Sequence, residues 1–131
     1  MVMFDTDFIV AVLRGDKTAL KRLLDYESSE EYTCISTVTV FELLRGVQRS
    51  RNSEKDRETY AKAVAKMYAA DYTYIEADLT AHIDARLARA GTPIGLPDMM
   101  IAATCLSIGH FLVTRNTRHF EMVPGLKVET W

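Results

Sequence analysis

The sequence predicts an α/β fold, in which a mostly parallel sheet of about five short strands is covered by helices on both faces. Two observations support this: the candidate strands are short and apolar throughout, and they alternate with stretches of helical periodicity. Strands buried on both faces and joined by helices are typical of parallel sheets. The chain has 131 residues, 48% of them hydrophobic and 26% charged. These values favour one globular domain spanning residues 1–131.

In the first half of the chain, the sequence pattern predicts two strands and four helices. An apolar segment stops at Asp5, Gly15 closes the helix that follows, and Ser36 is a plausible helix cap. Apolar residues at spacings of three and four mark the helical segments. The predicted elements are a strand at 2–4, helices at 8–14 and 18–26, a strand at 31–35, a helix after Ser36 and a long helix at 53–70.

The second half predicts three further strands. The segment that joins the two predicted helices of this half is not expected to be helical, because it contains Pro93, Gly95 and Pro97. We expect an irregular loop at 115–125. The predicted elements are a strand at 72–75, a helix from Asp78 to Gly91, an apolar helix at 99–108 capped by Asp98, and strands at 111–114 and 127–130.

Four polar residues lie near the predicted ends of strands. They are Asp5, Glu42, Asp98 and Asn116. Ligands bind at the carboxyl ends of the strands in parallel α/β sheets, so these four side chains are expected to converge there. Three carboxylates held together repel one another unless a divalent cation neutralises them. A site of oxygen ligands suits Mg²⁺ or Mn²⁺ better than zinc.

Each of these residues also has a purely structural interpretation. Asp5 and Asp98 are both suitable N-caps, and capping is compatible with metal binding because a carboxylate has two oxygens. Glu42 is placed to pair with Arg45 one helical turn later. Asn116 is a common turn residue. Sequence spacing leaves both interpretations open.

Charge and cysteine content limit the possible binding partners and cellular compartment of the protein. Sixteen basic and eighteen acidic residues give a net charge of −2, and the pI is about 5.9. This excludes a uniformly basic RNA-binding coat, although several arginines flank the predicted site in sequence: Arg14, Arg45, Arg49, Arg86, Arg89, Arg115 and Arg118. Cys34 and Cys105 are predicted to be buried thiols in a reducing, cytoplasmic compartment. No signal peptide or apolar run of membrane-spanning length is expected.

Six segments together resemble one protein family. They are residues 4–7 (FDTD), 35–46 (ISTVTVFELLRG), 93–98 (PIGLPD), 101–104 (IAAT), 113–121 (VTRNTRHFE) and 124–131 (PGLKVETW). In this order and spacing they resemble the PIN-domain ribonucleases of the VapC type, the toxin halves of toxin–antitoxin pairs. The resemblance covers nearly the whole chain and implies a PIN-like three-layer α/β/α fold.

The resemblance also implies roles for individual residues. Asp5, Glu42 and Asp98 correspond to the family's metal-binding acids, and Asn116 occupies the slot of a fourth polar residue at the site. His119 stands where many relatives carry Asp or Glu, so Asn116, His119 or a water is expected to complete the site. Thr6 and Thr114 are expected to orient ligands through their hydroxyls.

The function implied by the resemblance is a Mg²⁺- or Mn²⁺-dependent endoribonuclease that a small antitoxin neutralises. A homodimer is also implied, with residues 11–24 and 38–47 as candidate interface helices. The alternative is a non-catalytic PIN-like module that binds RNA or protein. A related metal-dependent phosphatase or nuclease acting on DNA would differ in its substrate.

Overall fold

The computed structural model describes residues 1–131 and contains one five-stranded sheet in which all strands are parallel. The spatial order is β3-β2-β1-β4-β5, which places β1 at the centre. The strands are β1 (Val2–Phe4), β2 (Thr33–Ser36), β3 (Tyr68–Ala70), β4 (Phe111–Val113) and β5 (Lys127–Glu129). The predicted α/β class with about five short parallel strands is confirmed.

Helices cover both faces of the sheet. The helices are α1 (Thr6–Leu13), α2 (Lys17–Ser28), α3 (Thr37–Gln48), α4 (Ser53–Val64), α5 (Tyr74–Ala90), α6 (Leu96–Ser107) and α7 (Thr117–Phe120). Successive strand residues point to opposite faces. Met3 and Cys34 accordingly belong to a core shared with α5 and α6, whereas Phe4 and Ile35 belong to a second core shared with α1 and α2. Two cores on opposite faces establish the three-layer arrangement. None of the helices combines the length and the apolar character needed to cross a membrane.

The third strand lies earlier in the chain than predicted. The expected helix at 53–70 ends at Val64, and its last predicted residues form β3, in which Ala69 pairs with Ile35 of β2. Alanine favours helices, but pairing at the edge of the sheet overrides that preference here. The predicted strand at 72–75 is wrong because a capping box between Thr73 and Glu76 starts α5 at this point.

Two further predictions are corrected near the end of the chain. Gly95 is the N-cap of α6, so Asp98 lies inside the first turn and is not its cap. Proline is favourable in a first turn, which explains why the helix begins around Pro97 rather than after it. The expected loop at 115–125 contains α7, whose last residue Phe120 is buried. Both cysteines are buried free thiols, as predicted.

The sheet order brings two parts of the candidate site together. Phe4 at the end of β1 pairs with Val113 at the end of β4. The next residues are Asp5 and Thr114, so these side chains leave the two central strands at the same edge of the sheet.

Candidate active site

Asp5 is the buried centre of this edge. Its side chain is only 3% exposed. One carboxylate oxygen, Oδ1, accepts a hydrogen bond from the backbone N–H of Phe8 at 2.8 Å, which caps α1. The other, Oδ2, accepts from the Thr114 hydroxyl. The predicted capping role is confirmed, and it leaves the second oxygen directed towards β4.

The negative charge of Asp5 has no cationic partner. None of the salt bridges in the structure includes this residue. Burial is the largest influence on the carboxyl group and raises its pKa to about 6, and the nearby carboxylates of Asp7 and Asp98 add to the rise. The hydrogen bonds from Thr114 and Phe8 act in the opposite direction but do not offset burial. The hydrogen bonds around Asp5 therefore stabilise its negative charge only in part.

Glu42 lies on α3, the helix that follows β2, and is half-buried. The Thr6 hydroxyl donates to its Oε2 atom at 2.5 Å and also lies 3.2 Å from the Thr39 hydroxyl. The alternative pairing with Arg45 does not occur, because the Arg45 guanidinium lies over the Phe41 ring, 5.4 Å from its centroid. Because Thr6 directly follows Asp5, its hydroxyl connects Glu42 to the segment that carries Asp5.

Asp98 forms a second cluster with His119 and Asn116. Its Oδ2 atom lies 2.8 Å from His119 Nδ1 and 3.3 Å from the Asn116 amide nitrogen. Asn116 and His119 also contact each other, with 2.9 Å between the amide nitrogen and Nδ1. The backbone N–H of Asn116 donates to the Thr114 hydroxyl at 2.9 Å. A continuous path of hydrogen bonds thus runs from Asp98 through Asn116 and Thr114 to Asp5.

The contact of His119 with Asp98 could not be predicted from the sequence, where the family resemblance gave His119 only as one way to complete the site. The available signal was the spacing of three residues between Asn116 and His119. That spacing brings side chains together on a helix, but the segment was predicted to be a loop. In the structure α7 supplies the missing turn and places both residues against Asp98.

The donor atoms fit Mg²⁺ or Mn²⁺ in type, whereas their spacing is more open than that of a closed metal site. Asp5, Glu42 and Asp98 offer carboxylate oxygens, and the buried Asp5 lacks a counter-charge. However, no group of three or more His, Cys, Asp or Glu side chains lies close enough to hold a metal ion. Glu42 is held by Thr6, and one oxygen of Asp98 is held by His119 and Asn116. All three contacts are hydrogen bonds between side chains.

Two clefts, each of about 340 Å³, adjoin Glu42 and bring two of the flanking arginines towards the site. Arg14 lines one cleft and Arg45 lines the other. Arg115 instead lies over the Trp131 ring, 3.6 Å from its centroid, and approaches Asp16 at 3.7 Å. Arg14 and Arg45 thus line the clefts beside Glu42, whereas Arg115 packs against the C-terminal tryptophan.

Known proteins share both the sequence pattern and the fold. The PIN domain family model matches residues 2–126. The tRNA(fMet)-specific endonuclease VapC of Shigella flexneri is 34% identical over 129 residues, covering 98% of this chain and 96% of the relative. Ribonuclease VapC2 of Haemophilus influenzae is 31% identical with the same coverage. In the crystal structure of DNA-bound VapBC from Salmonella typhimurium, one chain matches with a TM-score of 0.90 and 33% identity, covering 99% of this chain and 97% of that one. The chain therefore belongs to the PIN-domain family, among proteins of the VapC type.

Proposed function

We propose that this protein is a metal-dependent endoribonuclease that cleaves RNA phosphodiester bonds and acts as the toxin of a toxin–antitoxin pair. The observation that carries the proposal is the buried Asp5 carboxylate, which lies within the electrostatic influence of Asp98 and has no cationic partner. Relatives that are 31–34% identical over almost their full length are named as ribonucleases or endonucleases. A buried, uncompensated carboxylate at the ligand-binding edge of the sheet is expected of a cation site rather than of a structural cap.

In this proposal Asp5, Glu42 and Asp98 would close from the open arrangement of this structure to hold Mg²⁺ or Mn²⁺. The ion would lower the pKa of a water molecule and offset the negative charge that develops on the phosphate oxygens. Thr114 and the Phe8 N–H fix the orientation of Asp5, and Thr6 fixes that of Glu42. These contacts limit the side-chain freedom that metal binding would otherwise have to remove.

Asn116 and His119 complete the site by orienting Asp98. A single nitrogen, His119 Nδ1, faces both the acceptor Asp98 Oδ2 and the donor amide of Asn116. In a neutral ring this nitrogen is either a hydrogen-bond donor or an acceptor, so it can form a hydrogen bond with only one of these two partners at a time. Histidine and asparagine add no negative charge, so the cluster carries three carboxylates rather than four. We propose Asn116 as the fourth residue of the site, acting through its contact with Asp98.

The test is cleavage of RNA by the purified protein with Mg²⁺ or Mn²⁺, compared with the same reaction in EDTA. Initiator tRNA belongs in the substrate panel because the Shigella relative is named for it. Asp5→Asn, Glu42→Gln and Asp98→Asn should each abolish most cleavage. Asp78→Asn is the matched control, since this aspartate lies on α5 with 66% of its side chain exposed. Equal cleavage by Asp98→Asn and Asp78→Asn would contradict the site, and cleavage unaffected by EDTA would contradict the metal dependence.

An antitoxin partner is proposed on the same basis. The related structures from Salmonella typhimurium and Rickettsia felis are described as complexes named VapBC. We propose that a small antitoxin encoded beside this protein binds it and blocks the acidic site. Co-expression with the neighbouring reading frame should restore growth and yield a complex without RNA cleavage. Toxicity that persists despite a stable complex would contradict inhibition by this partner.

The proposed homodimer is a separate question. Leu20 and Leu24, on one of the candidate interface helices, are 38% and 60% exposed. Apolar side chains exposed on one helix are consistent with a surface covered by a second copy. Sedimentation of the purified protein should give twice the 14.8 kDa chain mass, and a monomer at micromolar concentration would exclude the dimer.

A further inference from the structure

We propose that the cleft between α3 and the first turn of α6 binds an unpaired RNA base next to the phosphate that is cleaved. This cleft, called the Phe41 cleft below, has a volume of about 340 Å³. Its main lining residues are Phe41, Glu42, Arg45, Leu96, Pro97 and Met100. The inference rests on the proposed ribonuclease function and specifies how that site would hold its substrate.

The apolar part of the Phe41 cleft is exposed although it has the composition of a core. Phe41 is 60% exposed and Leu96 is 59% exposed, and neither belongs to the two buried cores. They come from different helices yet line the same depression. Two large apolar side chains exposed in one concave surface indicate a binding site rather than scattered surface residues.

The position of the cleft connects it to the site. Glu42 directly follows Phe41 and itself lines the cleft, while Asp98 directly follows Pro97. The cleft therefore lies beside two of the three proposed metal-binding acids. A phosphate bound at those acids would bring a neighbouring nucleotide to the Phe41 cleft.

The chemistry of the cleft favours a base over an apolar protein segment. The Arg45 guanidinium lies over the Phe41 ring and takes part in none of the ion pairs. Its charge is therefore available to a phosphate of the RNA backbone. Aromatic rings accompanied by arginine are common surfaces for stacking unpaired bases, and they tolerate different base identities. The cleft thus offers an apolar face for a base and a cation for its backbone, beside the acids that would act on the adjoining phosphate.

The experiment compares kcat/KM for cleavage of a short single-stranded RNA by wild type and by variants. Phe41→Ala should lower kcat/KM by about fivefold to 150-fold, the range expected when one stacked base is lost. Phe41→Tyr should retain most of the wild-type value, whereas Phe41→Leu should resemble alanine despite its apolar side chain. Phe111→Ala is the matched control, because Phe111 is 44% exposed and begins β4. It therefore lies at the amino ends of the strands, away from the acids at their carboxyl ends.

An abasic RNA shows whether the base itself is recognised. Removing the base beside the cleavage position should reduce wild-type kcat/KM by the same factor as Phe41→Ala. The two changes combined should cause little further loss, because they remove the same contact. Thermal melting confirms that each variant is folded before it is compared.

The outcomes separate this inference from the proposed function. If wild type cleaves RNA but Phe41→Ala and Phe111→Ala have equal, unreduced kcat/KM, the base-binding cleft is wrong and the ribonuclease function stands. If Phe41→Ala weakens only antitoxin binding or only the proposed homodimer, the cleft docks protein and the inference is overturned. If wild type cleaves no RNA with either metal, the proposed function fails first.

Discussion

Two buried carboxylates at helix starts, Asp5 and Glu76, differ in how far the protein compensates their charge. Both accept hydrogen bonds from a backbone N–H and from a threonine hydroxyl: Asp5 from Phe8 and Thr114, Glu76 twice from Thr73. The hydrogen bond from the Thr73 side chain is the main cause that lowers the Glu76 pKa to about 2. Burial instead raises the Asp5 pKa to about 6.

The difference distinguishes a structural carboxylate from a candidate functional one. The capping box around Glu76 favours the charged form and starts α5. Asp5 also caps its helix, but Asp7 and Asp98 add repulsion and no cation opposes them. Helix capping alone therefore accounts for the position and charge of the Glu76 carboxylate, but it accounts for those of Asp5 only in part. The uncompensated charge at Asp5 is what a divalent ion would neutralise.

The largest expected effect is the loss of activity in Asp5→Asn. We expect RNA cleavage to fall at least about a thousandfold, because metal catalysis contributes several kcal/mol to lowering the barrier. The variant should remain folded, since an amide oxygen can still accept the N–H of Phe8. Single-turnover cleavage with Mn²⁺, together with circular dichroism, measures both properties. Activity within tenfold of wild type would show that Asp5 is only a helix cap.

The next largest effect is on stability as a function of pH in EDTA. The Asp5 pKa is raised from 3.8 to about 6, so the folded state binds this proton more tightly than the unfolded state does. The Asp5 contribution to the free energy of unfolding therefore falls as pH rises from about 4 to about 6 and then stays constant. Asp5→Asn removes this penalty. Its stability relative to wild type should increase by up to about 3 kcal/mol between pH 4 and pH 7.5.

Denaturant unfolding of both proteins at the two pH values tests this linkage. A stability difference that stays the same at pH 4 and pH 7.5 would show that the Asp5 carboxylate is not destabilised by burial.

Thr114→Val should have a smaller effect on activity. The Thr114 hydroxyl joins Asp5 to the backbone N–H of Asn116, and its loss frees both groups. Residues that orient metal ligands typically change metal affinity or activity by about 10-fold to 100-fold. Thr114→Ser should restore most of the activity because it keeps the hydroxyl. If Thr114→Val keeps wild-type activity while Thr114→Ser loses it, packing of the methyl group matters and the hydrogen bond does not.

The smallest expected effect is that of Glu76→Gln, which should reduce stability and leave cleavage unchanged. Disrupting a helix cap costs about 1 kcal/mol, which corresponds to a few degrees in melting temperature. Because the Glu76 pKa is lowered from 4.5 to about 2, its contribution is present above pH 4.5 and is lost as pH falls towards 2. The variant should therefore show a weaker acid dependence of stability than wild type. A tenfold loss of cleavage at unchanged stability would place Glu76 in the site.

The sequence predicted those parts of the fold that local patterns determine. β1 has its predicted limits because an apolar segment meets a capping aspartate at Asp5. β3 was misplaced because Tyr68 continues the helical periodicity of α4, and only pairing with β2 in the three-dimensional sheet makes residues 68–70 a strand. Asp98 was predicted as a cap because the prolines before it suggested that the helix starts later.

The candidate site was predictable in its acids but not in its connections. Asp5, Glu42 and Asp98 stand at positions that a parallel sheet brings to one edge. The path through Thr114 depends on the pairing of β1 with β4, two strands more than a hundred residues apart in sequence. The contact of His119 with Asp98 depends on α7, a single helical turn that composition alone did not reveal.

The central claim is that a divalent cation provides the counter-charge that Asp5 lacks, and thermal melting with and without Mn²⁺ at pH 7.5 tests it most directly. Binding at a hundred times the dissociation constant adds about 2.7 kcal/mol to stability. We predict a rise of several degrees in wild type and in Glu76→Gln, and none in Asp5→Asn. An equal rise in Asp5→Asn, or no rise in wild type, would contradict the claim.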